Sequence, residues 1–128
     1  MGRRTIISVL TLAVAAAGIY LCWPRKADLR AFDPAEMARL ETAMWRDYYE
    51  KHYPSLFYRL YELSRTQFGF SPLDSFRIAL SAAQAAKTFQ PTRSRREADA
   101  ALPSLLTHYR LLQPAAPVAF DVNETAAA

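Results

Sequence analysis

The run Thr5–Trp23, TIISVLTLAVAAAGIYLCW, has no charged residue over nineteen positions. Coiled as a helix it spans about 28 Å, close to the thickness of a bilayer hydrocarbon core. Tyr20 and Trp23 stand at its far end, where an aromatic belt belongs, and Pro24, Arg25 and Lys26 stop it. A helix buried in a soluble core ordinarily keeps a polar stripe, and this run shows none. The run is predicted to be a membrane segment. The remainder of the 128 residues then suffices for one small domain.

Anchor and cleaved signal peptide share these features. Arg3 and Arg4 form a basic region (residues 1–4) ahead of the run. Small residues suited to cleavage occur at Ala13-Val14-Ala15 and Ala15-Ala16-Ala17. Cleavage there would leave Gly18–Trp23 as an apolar stub, and the run exceeds a usual signal core, so an uncleaved anchor over residues 5–23 is expected. Leu21 is too large for a lipobox at Cys22, and Arg3-Arg4-Thr5-Ile6-Ile7 resembles a twin-arginine export signal only loosely. Arg3 and Arg4 on one side are nearly matched by Arg25, Lys26 and Arg30, offset by Asp28, on the other. A single leading run with a basic start usually behaves as a signal anchor, so a single-pass protein of the cell membrane with its domain on the extracytoplasmic side is expected.

The net charge is +4, and two of those charges precede the run. The residue beyond is about +2 with both signs interspersed, a solvated surface rather than a footprint for nucleic acid. One cysteine excludes an internal disulfide framework and any multi-cysteine metal centre.

After a charged linker (residues 24–32) every segment reads as helix, because β-branched content is low and neither sustained alternation nor an Asn-Gly or Asp-Gly turn occurs. Asp33-Pro34-Ala35-Glu36 is a capping box with proline in the first turn, followed by the stripe Met37, Leu40, Met44 and Tyr48. Pro54 either kinks this helix or starts a second at Ser55, with Leu56, Phe57, Leu60, Tyr61, Leu63 and Phe68 on its apolar face and Gly69 as its stop. A third helix starts at Ser71-Pro72 with the stripe Phe76, Ala79, Leu80, Ala83 and Ala86, and its Ala-rich face permits close helix packing. Ser94-Arg95-Arg96-Glu97 is a second capping box ahead of a fourth helix carrying Ala98, Leu102, Leu105, Tyr109 and Leu112, with a bend or late start at Pro103. The expected fold is all-α: an N-terminal transmembrane helix followed by a three- to four-helix bundle over residues 33–113. Residues 114–128 read as an extended tail or the start of a truncated helix. The second possibility rests on an echo: Ala31-Phe32-Asp33-Pro34-Ala35-Glu36 recurs in outline as Ala119-Phe120-Asp121-Val122-Asn123-Glu124.

No Gly-rich phosphate loop, G-x-S-x-G or H-E-x-x-H occurs, and the two histidines, His52 and His108, stand in no Glu-x-x-His pair. No catalytic, cofactor-binding or metal-ligating set is assigned. Arg93-Ser94-Arg95-Arg96 reads as a solvated basic loop. Aromatic residues are dense over 45–76, and Trp45, Tyr48, Tyr49, Tyr53, Phe57, Tyr58 and Tyr61 are the candidate partner surface. The stretch from Leu40 to Tyr49, L-E-x-x-M-W-R-x-Y-Y, resembles the core of uncharacterised bacterial proteins that pair one N-terminal hydrophobic segment with a helical body. The resemblance covers about residues 30–128. It implies a helical fold and membrane association, and supplies no activity.

The leading expectation is a non-catalytic, membrane-anchored interaction or scaffold module without a cofactor. Its partners would be the lipid bilayer and a protein or a second copy of the chain. The alternative is an exported, soluble helical protein with a small-ligand or metal site built on Glu41, Trp45, Tyr49 and His52. A third possibility, a piece of a larger helical protein, follows from the echo at 119–124.

Overall fold

The computed structural model describes residues 2–128 and is all-helical over them. Helix α1 (Arg3–Cys22) meets the body only near its C-terminal end, where Leu21 and Tyr20 reach α3 and α4, and none of its residues is buried. It is long and apolar enough to cross a membrane. A core helix of such composition would be covered by neighbours, and this one is not. Its last carbonyls are closed off locally: Arg25 donates from Nη2 to the Tyr20 carbonyl at 2.9 Å, and its guanidinium lies 5.0 Å from the centre of the Tyr20 ring.

The body contains α2 (Pro34–Tyr49), α3 (Tyr53–Thr66), α4 (Pro72–Phe89), a short α5 (Arg95–Ala98), α6 (Leu102–Leu112) and a short α7 (Val122–Ala127). Four of these helices start on side-chain caps. Asp33, Ser71, Ser94 and Asp121 accept from the backbone N–H three residues on, at 2.9, 3.1, 3.2 and 2.8 Å. The sequence echo is a repeated structure: Asp33 and Asp121 share backbone angles near −82° and 121°. The phenylalanine before each cap meets a ring from another segment edge-on, Phe32 against Phe68 and Phe120 against Tyr109, both at 6.3 Å. The last fifteen residues are thus not simply extended.

Four of the eight prolines fall at α-helix starts. Pro34, Pro54, Pro72 and Pro103 all occupy the first turn of their helices, where a missing N–H costs nothing. Pro54 therefore produces no kink. The break lies earlier, at Glu50-Lys51-His52, where Lys51 takes φ 58° and the His52 N–H donates to the Asp47 carbonyl at 2.8 Å. Helix α3 begins at Tyr53, two residues ahead of the expected Ser55. Pro103 marks a late start, after a 3-10 turn over Asp99–Ala101.

Helices α3 and α4 form the hairpin on which the body is built. Gly69 turns it with φ 75°, and the Phe70 N–H returns to the Ser64 carbonyl at 3.0 Å. Helix α4 is central, touching α1, α3 and α6, while α2 packs on α3. The buried arc of α4 differs from the expected stripe. Ser75, Ile78, Ala79, Ser81, Ala83 and Ala85 are inside, whereas Phe76 and Leu80 stay 47% and 39% exposed. Small side chains on the inner arc let two helices approach closely, and the bulky pair is left on the outer one. The 24–32 segment is docked: Asp28 and Leu29 donate to the carbonyls of Phe68 and Ala115 at 3.0 and 3.2 Å, and Ala27 and Leu29 pack on a core of Phe70, Ile78 and Ala115.

Lys51 holds a left-handed conformation that costs a β-carbon about 1–2 kcal/mol. Lys51→Gly is expected to raise the thermal midpoint of the full chain in detergent micelles, by the equivalent of about 1 kcal/mol. A fall would mean that the lysine side chain, rather than the backbone, dominates this turn.

Candidate functional site

An apolar groove of 640 Å³ runs between α2 and α6. Its α2 wall is Glu41, Met44, Trp45, Tyr48 and Tyr49, five residues on one helical face. Its α6 wall is Leu105, His108 and Tyr109, with Ala101 just ahead. The floor is Ala82, Ala85, Ala86 and Phe89 of α4, with Leu56 and Leu60 of α3 at the base. The trough exists because α4 presents methyl groups where larger residues would have closed it.

The aromatic wall is self-supporting. Trp45 stacks on Tyr49 at 5.9 Å and 27°, and Tyr48 meets Trp45 and Tyr49 edge-on at 5.8 and 5.3 Å. Trp45 and Tyr49 nevertheless remain exposed, while Tyr48 is half-buried. Burial pushes the Tyr48 phenol above its usual range, and the neighbouring Tyr49 and Tyr53 add to this. Glu41 stands at the rim and makes no ion pair among the described residues.

Three polar contacts hold the walls in place. Tyr53 donates to Gln90 Oε1, and Gln90 Nε2 donates to the Tyr48 carbonyl at 2.8 Å, joining the end of α4 to the α2–α3 turn. The Asp47 carboxylate, in a buried residue, faces Arg59 Nε at 3.6 Å and links α2 to α3. On the opposite wall, Ser81 Oγ donates to the Ile78 carbonyl at 2.9 Å, so it accepts from His108 Nδ1 at 3.2 Å. The same Nδ1 lies 3.3 Å from the Ile78 carbonyl. This assigns the ring hydrogen to Nδ1 and makes Nε2 the acceptor. Burial holds His108 below the ordinary imidazole value of 6.5, opposed in part by the Ile78 carbonyl.

The seven aromatic residues expected to share one surface are divided. Trp45, Tyr48 and Tyr49 line the groove. Tyr53 turns inward to Gln90. Phe57, Tyr58 and Tyr61 line a second depression with Leu21, Leu73 and Phe76. The two faces are opposed: Ala85 follows Phe76 by nine residues, about two and a half turns of α4. Of the residues considered for a ligand site, Glu41, Trp45 and Tyr49 come together, while His52 is exposed and pairs with Glu50 at 3.3 Å. Among the described residues, no three His, Cys, Asp or Glu side chains are grouped to hold a metal ion. In the basic loop, Arg95 donates to the Ala127 carbonyl. Cys22 is exposed at the end of α1. Sequence reasoning missed His108 as a wall residue and the role of Ala82, Ala85 and Ala86 as a floor. The spacing of those alanines was the available signal.

No family model, curated protein or solved structure matches the chain.

The lowered His108 value sets a direction for pH. As pH falls through the ordinary imidazole range, the unfolded chain takes up a proton that the folded chain refuses, so stability drops. The thermal midpoint is expected to fall between about pH 7 and pH 5, and His108→Gln is expected to flatten that slope. An unchanged slope in the variant would assign the pH dependence to other groups.

Proposed function

We propose that this protein is a membrane-anchored, non-catalytic helical interaction module. Helix α1 crosses the cell membrane once and holds the body on the extracytoplasmic side, and the groove receives an apolar helix of a protein partner. The observation that carries this reading is the alanine floor between two helical walls. Helix-in-groove recognition needs an apolar groove lining and close approach of backbones. Ala82, Ala85 and Ala86 at the base of the groove meet both needs. Glu41 at the rim suits a basic residue flanking the partner's apolar stripe. The flanking Lys and Arg are nearly balanced, and the outward orientation rests on the usual behaviour of a single leading run with a basic start, that of a signal anchor.

A benzoylphenylalanine at position 49 of the full chain, photolysed in native membranes, is expected to yield a protein adduct. Ala86→Leu, which fills the floor, is expected to abolish it. An adduct of two copies would identify self-association as the use of the groove, and a protein adduct indifferent to Ala86→Leu would remove the groove from the contact. Sidedness is read separately. A C-terminal tag should be digested when protease is added to spheroplasts; a protected tag at full mass would put the body in the cytoplasm.

One observation favours the second reading, an exported small-ligand-binding protein. The groove volume falls in the ligand range of about 300–1,000 Å³, and Glu41, Trp45 and Tyr49 share its wall. Recovery of a small molecule bound to the protein, lost in Ala86→Leu, together with a shortened soluble chain, would select it.

A further inference from the structure

We propose that the outer face of the α3–α4 hairpin lies in the interfacial zone of the same bilayer that α1 enters, so that the body rests on the membrane. The inference builds on the reading of α1 as a span.

The last turn of α1 is part of the body's surface. Leu21 joins Phe57, Tyr61, Leu73 and Phe76 in the second depression. Arg65 Nη2 donates to the Tyr20 hydroxyl at 3.2 Å. The chain between them is short: only five residues separate Cys22 from Asp28, whose N–H is bonded to the Phe68 carbonyl at 3.0 Å. The body therefore cannot swing away from the end of the helix.

Depth follows from length. The twenty residues of α1 rise about 30 Å, one hydrocarbon thickness, so Leu21 falls at the boundary between acyl chains and headgroups. Side chains seated on Leu21 lie at that level. Tyr58, Phe76 and Leu80, on the outer face around this contact, remain 61%, 47% and 39% exposed. Tyr20 and Trp23 at the end of α1 are exposed beside them. Tyrosine, tryptophan and phenylalanine grouped at this depth form an interfacial belt, and the exposed Lys26 follows for lipid phosphates. A bilayer covers these residues without a further partner. It also leaves the groove, on the far side of α4, directed away from the membrane.

The test reads depth. The full-length chain, with Cys22→Ser, is placed in vesicles of phosphatidylcholine and phosphatidylglycerol, and a fluorophore is attached at single cysteines replacing Leu12, Tyr49, Tyr58, Phe76 or Leu80. Lipids carrying a nitroxide near the headgroup are expected to quench positions 58, 76 and 80 at least about twofold more than position 49, since interfacial side chains sit about 5–10 Å into the headgroup–acyl boundary. Nitroxide deep in the acyl chain is expected to quench position 12. Circular dichroism identifies any variant that fails to fold, and the remaining two outer positions then decide. If positions 58, 76 and 80 are open to aqueous quencher while position 12 is deep, the inference fails and the span stands. Protection of the outer positions from both water and lipid would mean that protein covers the face, which also overturns it. If position 12 is itself reached by aqueous quencher, the reading of α1 fails first.

Discussion

The small-residue arc of α4 is the constraint on which the rest of the body depends. Ser75, Ala79, Ala83 and Ala85 bring α4 into close contact with its neighbours, and no larger side chain would fit at those positions without pushing the helices apart. Because α2 packs on α3 and α6 packs on α4, the continuation of this arc at Ala82 and Ala86 is left uncovered between the two walls. Tight packing along one part of the helix and an open trough along the next thus share one cause. The bulky residues of the same helix, Phe76 and Leu80, are displaced to the opposite side.

Polar contacts act on this frame by fixing position. The Tyr53–Gln90–Tyr48 chain and the Asp47–Arg59 pair tie the aromatic wall to the hairpin, and the His108–Ser81–Ile78 contact ties the other wall to α4. Asp47 and Arg59, at 3.6 Å, form an ion pair without a hydrogen bond between the facing atoms. The hydrogen bonds among these contacts add modestly to stability, because each replaces bonds to water. Their larger effect is to give the groove one width. Under the proposed reading, a groove held open in advance loses less entropy on ordering when a partner binds.

Much of the helical layout was legible along the chain. Asp33, Ser71 and Ser94 are caps by residue type and spacing, and Gly69 is a stop because only glycine takes its φ without strain. The prolines were readable as boundaries but ambiguous at Pro54, where the deciding feature is a left-handed lysine one turn upstream. Lysine at φ 58° has no sequence signature. The candidate site was legible only in its α2 wall. Glu41, Trp45 and Tyr49 recur at helical spacing, whereas His108 joins them from sixty residues away, by a contact no local pattern encodes.

The sequence alone determined that the chain is helical, that one nineteen-residue run is apolar enough for a membrane, and where most helices begin. These are local properties: uncharged length, cap chemistry and the 3.6-residue period act within a turn or two. Tertiary structure alone decided which arc of α4 is buried, which aromatic residues face the groove and which face α1. The periodicity of α4 offers two competing stripes, one bulky and one small. The choice between them is made by how closely α3 and α6 can approach, a property of the assembled hairpin that no single helix contains.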